Sequence, residues 1–165
     1  SSLYLERLLM LIPTKYHKYI TVYQHFDMAK KLSLAGIHLD NLEVEPPIGY
    51  KGQIGRTCKN SMLLKEMRKN SDYVILKNVY EDSSDATKTP VLSSMELTEL
   101  KKQGRLGKHV YAMGGVTLER IPELKNYGFG GVVVGNDFWN KIDLRADTDF
   151  KGILNYFHQL RQATE

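Results

Sequence analysis

Residues 108–139, reading KHVYAMGGVTLERIPELKNYGFGGVVVGNDFW, constrain the fold of this chain more than any other stretch. Two short apolar runs, 109–113 and 132–134, flank a segment of helical character over 118–126. Each run is followed by glycine-containing turn sequence, so the stretch reads as a strand–glycine–helix–glycine–strand unit. In a parallel sheet, ligand sites are built at the carboxyl ends of the strands, where these glycines fall. Glycine lets backbone amides approach an anion, and phosphate is the anion such turns most often hold. The competing reading is that Gly114, Gly115, Gly130 and Gly131 serve tight turns alone.

The same alternation runs through the rest of the chain. Apolar residues from Leu3 to Ile12 recur at helical spacing and Pro13 closes that segment. Strands are predicted near Val22, Ile37, Ile54, Ile75, Tyr111 and Val133, and helices over 27–34, 61–69 and 95–103, the last capped by Ser94. Leu97 and Leu100 face inward on that helix. A terminal helix after Asp147 carries Phe150, Ile153, Leu154, Phe157 and Leu160, and its aromatic content near Tyr156 and Phe157 is explained by packing onto the sheet layer. Residues 40–50, with Pro46, Pro47 and Gly49, read as a loop, and 81–89 as a mobile polar loop. Strands alternating with helices predict an α/β protein with a parallel sheet. Six strands fit either an open doubly wound sheet or six of the eight in a barrel whose opening strand–helix–strand is absent.

Composition bounds the function. At 165 residues the chain fits one domain, 1–165, with 42% hydrophobic and 25% charged residues. No apolar run approaches ~18 residues, so no membrane span is expected. Cys58 is the single cysteine, which excludes an intrachain disulfide and a cysteine zinc cluster and suits a reducing cytoplasm. The net charge of +4 is mild and comes without a dense basic run, which argues for a small anionic ligand and against nucleic acid.

Several segments, in order, resemble the thiamine-phosphate synthase / TenI family of small (β/α)8 barrels. They are GIHL at 36–39, IGRTCKNS at 54–61, YVILKNVYEDSSDATK at 73–88, YAMGGV at 111–116 and GFGGVVVGNDFW at 128–139. The resemblance implies a TIM-type (β/α)8 barrel beginning at the helix after its second strand, with the first strand–helix–strand missing from this sequence. It implies an enzyme that joins a pyrimidine diphosphate to a thiazole phosphate, releases pyrophosphate and uses Mg²⁺. Two open sheet edges call for a partner, such as a second copy in a homodimer, or for further chain. About 30 residues upstream would supply the missing unit, and an intact mass would show it.

Residue by residue, the resemblance places Gly114 and Gly115, with Gly135 and Asn136, in a clamp for the thiazole phosphate. Thr57 keeps a hydroxyl that would meet a pyrimidine or diphosphate oxygen, and Lys59, standing where the family has histidine, would add positive charge for the phosphates. Thr87 and Lys88 correspond to the loop that wraps the diphosphate, Lys88 being the foremost diphosphate contact. Gln24 stands where synthases carry a metal-binding aspartate; a neutral amide is a poor Mg²⁺ ligand, so Gln24 is placed with the substrate-binding residues. Glu43 or Asp40 would then hold the Mg²⁺. Lys77-Asn78 replaces a small residue and proline, so Lys77 either binds an anion or plugs the pocket. His38 reads as a satisfied core histidine, and Cys58 as a structural thiol. The departures leave three functions in view: a thiamine-phosphate-synthase-like transferase, a catalytically impaired phosphate-ligand-binding or regulatory relative, and a thiazole tautomerase using His25.

Overall fold

The computed structural model describes residues 2–81, 91–143 and 150–165. Six strands form one sheet: β1 (Thr21–Val22), β2 (Gly36–Leu39), β3 (Gln53–Cys58), β4 (Tyr73–Leu76), β5 (Val110–Met113) and β6 (Gly131–Val133). All neighbours are parallel, and their spatial order is their order in the chain. A doubly wound sheet reverses its strand order at a switch point. This sheet never reverses, and its six strands form the open arc of a TIM-type barrel.

The helices are α1 (Ser2–Met10), α2 (Asp27–Lys31), α3 (Leu64–Lys69), α4 (Ser94–Lys102), α5 (Ile121–Tyr127), α6 (Asn136–Trp139) and α7 (Lys151–Thr164). Because side chains alternate across a strand, the sheet has two chemically distinct faces. The outer face is apolar. Val22, Ile37 and Leu39 pack with Leu9, Met28 and Ala29 in one cluster. Cys58, Val74, Leu76, Val110 and Ala112 pack with Leu64, Met67, Leu97, Ile121 and Leu124 in a second. Each fully buried leucine or isoleucine in these clusters contributes about 1.5–3 kcal/mol. The inner face is aromatic and polar. It carries a row in which Tyr23 lies 4.4 Å from His38, His38 5.6 Å from Tyr73, and Tyr73 stacks 5.5 Å from Tyr111, ring centre to ring centre.

Local differences from the sequence reading have simple causes. Helix α4 is capped by Ser93, not Ser94, because Ser93 and Glu96 satisfy each other's backbone amides in a capping box. Residues Thr14–Tyr19 form a 3-10 turn that periodicity does not reveal. It is held by the buried His17, whose ring nitrogens sit 3.0 Å from the carbonyls of Leu32 and Ile12. The four-residue α6 is too short to show a period. On α7 Leu160 is buried and Tyr156 packs against the second cluster, as expected, while Leu154 and Phe157, with Phe150 just before the helix, are half exposed. β6 has no strand beyond it among the described residues, so Val132, Val134, Phe138, Trp139 and Phe157 border an open apolar groove.

Candidate functional site

The carboxyl ends of β4, β5 and β6 open onto a cleft of about 660 Å³, bordered by Lys77, Asn78, Gly114, Gly115, Arg120 and Asn136 among others. Its walls are two loops joined by backbone hydrogen bonds. Val79 N–H donates to the Met113 carbonyl at 3.1 Å and Tyr80 N–H to that of Gly114 at 3.2 Å. Glycine is required here for two reasons. Gly114 and Gly115 adopt φ of 105° and 56°, where other residues are strained. A Cβ at Gly115 would also stand 2.2 Å from the Glu81 carbonyl oxygen, and one at Gly114 3.1 Å from the Asn78 backbone. Asn78 itself sits at φ 60°, a conformation asparagine tolerates. Gly135 faces open space and starts the turn that becomes α6.

Two cations border the cleft, and they differ. Arg120 is committed: its guanidinium donates to the Gly115 carbonyl at 2.6 Å and lies 4.5 Å from the centre of the Tyr80 ring. Tyr80 in turn donates its hydroxyl to Glu123 at 2.9 Å, and its pKa is raised, first by burial and then by Glu123. Arg120 escaped the sequence reading because its partner Tyr80 comes from a different loop. Lys77 is half-buried at the end of β4. The Asp137 carboxylate also borders the cleft, but it accepts from the Tyr156 hydroxyl and lies 3.8 Å from Lys141. Burial, followed by Asp137, pushes the Tyr156 hydroxyl up to about 12.

The cleft thus gathers Gly114, Gly115, Gly135 and Asn136, the four residues singled out as a phosphate clamp. The other described site residues lie elsewhere. Thr57 is buried on the inner face, where its hydroxyl pairs with His38 Nε2 at 2.8 Å. His38 Nδ1 pairs with the Tyr73 hydroxyl at 3.1 Å, so the histidine is a satisfied interior group. Burial lowers its pKa to about 4; Asp40 opposes the shift and Arg56 adds to it. Burial likewise pushes Tyr73 up to about 12. Lys59, Gln24 and His25 are exposed at their strand ends. Thr87 and Lys88 lie outside the described residues.

The two alternatives named for Mg²⁺, Asp40 and Glu43, lie on one loop. Both are exposed on this loop after β2, where Asn41 Oδ1 accepts from the Glu43 N–H at 2.8 Å. The buried Arg56 holds that loop by donating to the carbonyls of Asn41 and Val44. Among the described residues, no three His, Cys, Asp or Glu side chains converge as metal ligands. The described carboxylates of that loop therefore form no ready-made Mg²⁺ cage.

Cys58 is fully buried on the outer face, its thiol donating to the Asn60 carbonyl at 3.0 Å, and burial pushes its pKa up to about 11. A thiol in that state is a poor nucleophile. We expect the native protein to resist a thiol-specific disulfide reagent at pH 8 and to release one equivalent on denaturation. Rapid native labelling would contradict this placement.

No helix among the described residues is long and apolar enough to cross a membrane. Comparison with known proteins adds the family. Residues 5–138 match the family model described as thiamine monophosphate synthase. The chain is 27% identical over 142 residues to the thiamine-phosphate synthase of Bacteroides thetaiotaomicron, with 79% of this chain and 66% of that protein aligned. It therefore spans just under two thirds of that curated relative. The crystal structure of a thiamine phosphate pyrophosphorylase from the same organism superposes with a TM-score of 0.85 at 32% identity, covering 99% of this chain and 78% of that one. A 3-hexulose-6-phosphate synthase superposes at 0.57 with 15% identity, covering 84% of this chain and 66% of that one, which speaks to the fold alone. With a sheet that never reverses, glycine turns at the ends of its last two strands, and a match from residue 5 to residue 138, the chain belongs to the thiamine monophosphate synthase family.

Proposed function

We propose that the cleft binds a thiazole phosphate and that the protein acts in thiamine biosynthesis, joining a pyrimidine methyl diphosphate to that thiazole with release of pyrophosphate. One observation carries the reading: Gly114-Gly115 and Gly135-Asn136, separated by a whole helix in sequence, meet at one cleft together with Lys77. A cleft of about 660 Å³ is of the size that takes a small phosphorylated heterocycle. Backbone amides on glycine turns suit phosphate oxygens because no side chain holds the ligand off. In the reaction, the carbon–oxygen bond to the diphosphate breaks first, and pyrophosphate leaves with the electron pair. The thiazole nitrogen then attacks the pyrimidine methylene cation to form the new carbon–nitrogen bond. Fixing the thiazole by its phosphate presents that nitrogen to the cation. Thr57, Lys59, Thr87 and Lys88 are proposed for the pyrimidine and diphosphate.

A second reading is binding without turnover. It is favoured by Gln24 at the end of β1, where the resemblance leads one to expect a carboxylate, and by Lys59, Lys77 and Asn78 among the strand-end residues. Calorimetric titration with the thiazole phosphate and with its alcohol tests the shared claim, and a turnover assay with the pyrimidine diphosphate and Mg²⁺ separates the two readings. Binding of the phosphate ester but not the alcohol is expected. Equal affinity for both would end the phosphate reading of the cleft, and binding with no product would leave the non-catalytic reading.

A further inference from the structure

The cleft contains a charge that the described residues do not answer. Tyr73 and Ile75 share the inner side of β4, and Lys77, the first residue past the strand, continues that alternation. The Tyr73 ring standing over Gly55 shows which side that is. Lys77 therefore leaves the strand end toward the cleft it borders. Its backbone is fixed by donation to the Cys58 carbonyl at 2.9 Å, so the ammonium is tethered to the sheet and not to a loop. Among the described residues its ammonium has no ion pair and no hydrogen-bond acceptor. The nearby Asp137 is occupied by Tyr156 and Lys141, and Arg120 by Gly115 and Tyr80. A half-buried ammonium gives up part of its hydration, and an anion delivered to the cleft restores what it lost.

We infer that Lys77 is the charged recognition residue of this cleft, so that a phosphate monoester is held between its ammonium and the amide rim at Gly114-Gly115 and Gly135-Asn136. The inference rests on the phosphate-ester reading of the cleft and deepens it. The small residue that the family resemblance implies at this position carries no charge, so the lysine is this chain's own addition. Its consequence is selectivity: affinity follows the ligand's charge as well as its shape, and falls with ionic strength.

Calorimetric titration of the full-length protein with inorganic phosphate, at low and moderate salt, tests this in wild type, Lys77→Met and Lys77→Arg. We expect Lys77→Met to weaken phosphate binding about tenfold or more and to flatten its salt dependence, because a charge-assisted hydrogen bond is lost. Lys77→Arg should stay within about threefold of wild type. Lys77→Gln gives a second neutral variant, and matching melting temperatures show that the variants are folded. Wild-type affinity and salt dependence in both neutral variants would overturn the role of Lys77 and leave the cleft reading standing. A wild-type protein that binds neither inorganic phosphate nor the thiazole phosphate would overturn both.

Discussion

Replacing Gly115 by alanine is expected to destabilise the protein by about 3 kcal/mol and to abolish measurable binding of a phosphate ester. Two effects add. The residue sits at φ 56°, and an alanine held there is strained by about 1–2 kcal/mol. The new methyl would also stand 2.2 Å from the Glu81 carbonyl oxygen, a backbone atom that cannot rotate away. Either the loop after β4 moves or Gly115 does. Both outcomes open the hydrogen bonds that Val79 and Tyr80 donate to Met113 and Gly114 and that Arg120 donates to Gly115. For a chain of this size the melting temperature should fall by about 6–12 °C. Gly152→Ala is the control, because that glycine lies in α7 with open space around it and alanine is the better helix former. A Gly115→Ala protein that melts with wild type and binds normally would show that the two loops do not meet as described.

Acidification should destabilise the protein through His38. Its folded pKa is depressed by burial to about 4, whereas an unfolded histidine titrates near 6.5. Above 6.5 the residue is neutral in both states and contributes no pH dependence. As the pH falls from 6.5 to 4, the unfolded chain takes up a proton that the folded interior refuses, and stability drops. Over that window the loss amounts to roughly 3 kcal/mol, levelling off below the folded pKa. Neutral imidazole has one donor and one acceptor nitrogen, which the Thr57 and Tyr73 hydroxyls satisfy, and a proton would leave an unsolvated cation among aromatic rings. Urea unfolding of wild type and His38→Gln between pH 7.5 and 4 isolates the effect, since other titrating groups are common to both. The wild-type profile should be steeper between 6.5 and 4; superposable slopes would remove His38 as the cause.

The positions of strands were legible because burial of an outer face selects apolar residues at every second site. Val74 and Leu76, or Val110 and Ala112, mark such a face directly. Each strand centre read from the sequence falls within an observed strand or at its end. The cap of α4 was legible too: Glu96 stands three residues after Ser93, the capping-box spacing, whereas Leu97 holds that place after Ser94. Short elements such as α6 are invisible to periodicity for lack of a second turn. The exposure of Phe157 was misread because its spacing records amphipathic character but not whether anything lies opposite.

For the site, the strand–glycine pattern by itself pointed to Gly114 and Gly115, whose positive φ and close packing demand glycine, while Gly135 and Asn136 were named only through the family resemblance. Sequence alone also determined the strand–helix alternation and the two-faced character of each strand. Only the tertiary structure decided between a wound and a barrel sheet, because strand order is a property of long-range pairing that periodicity does not encode. Only the tertiary structure placed Thr57 against His38, Arg120 across Tyr80 and Lys77 beside the glycine turns, since those partners lie 19, 40 and about 40 residues apart. Local sequence sets what each residue can do; the packing of distant strand ends sets which of them do it together.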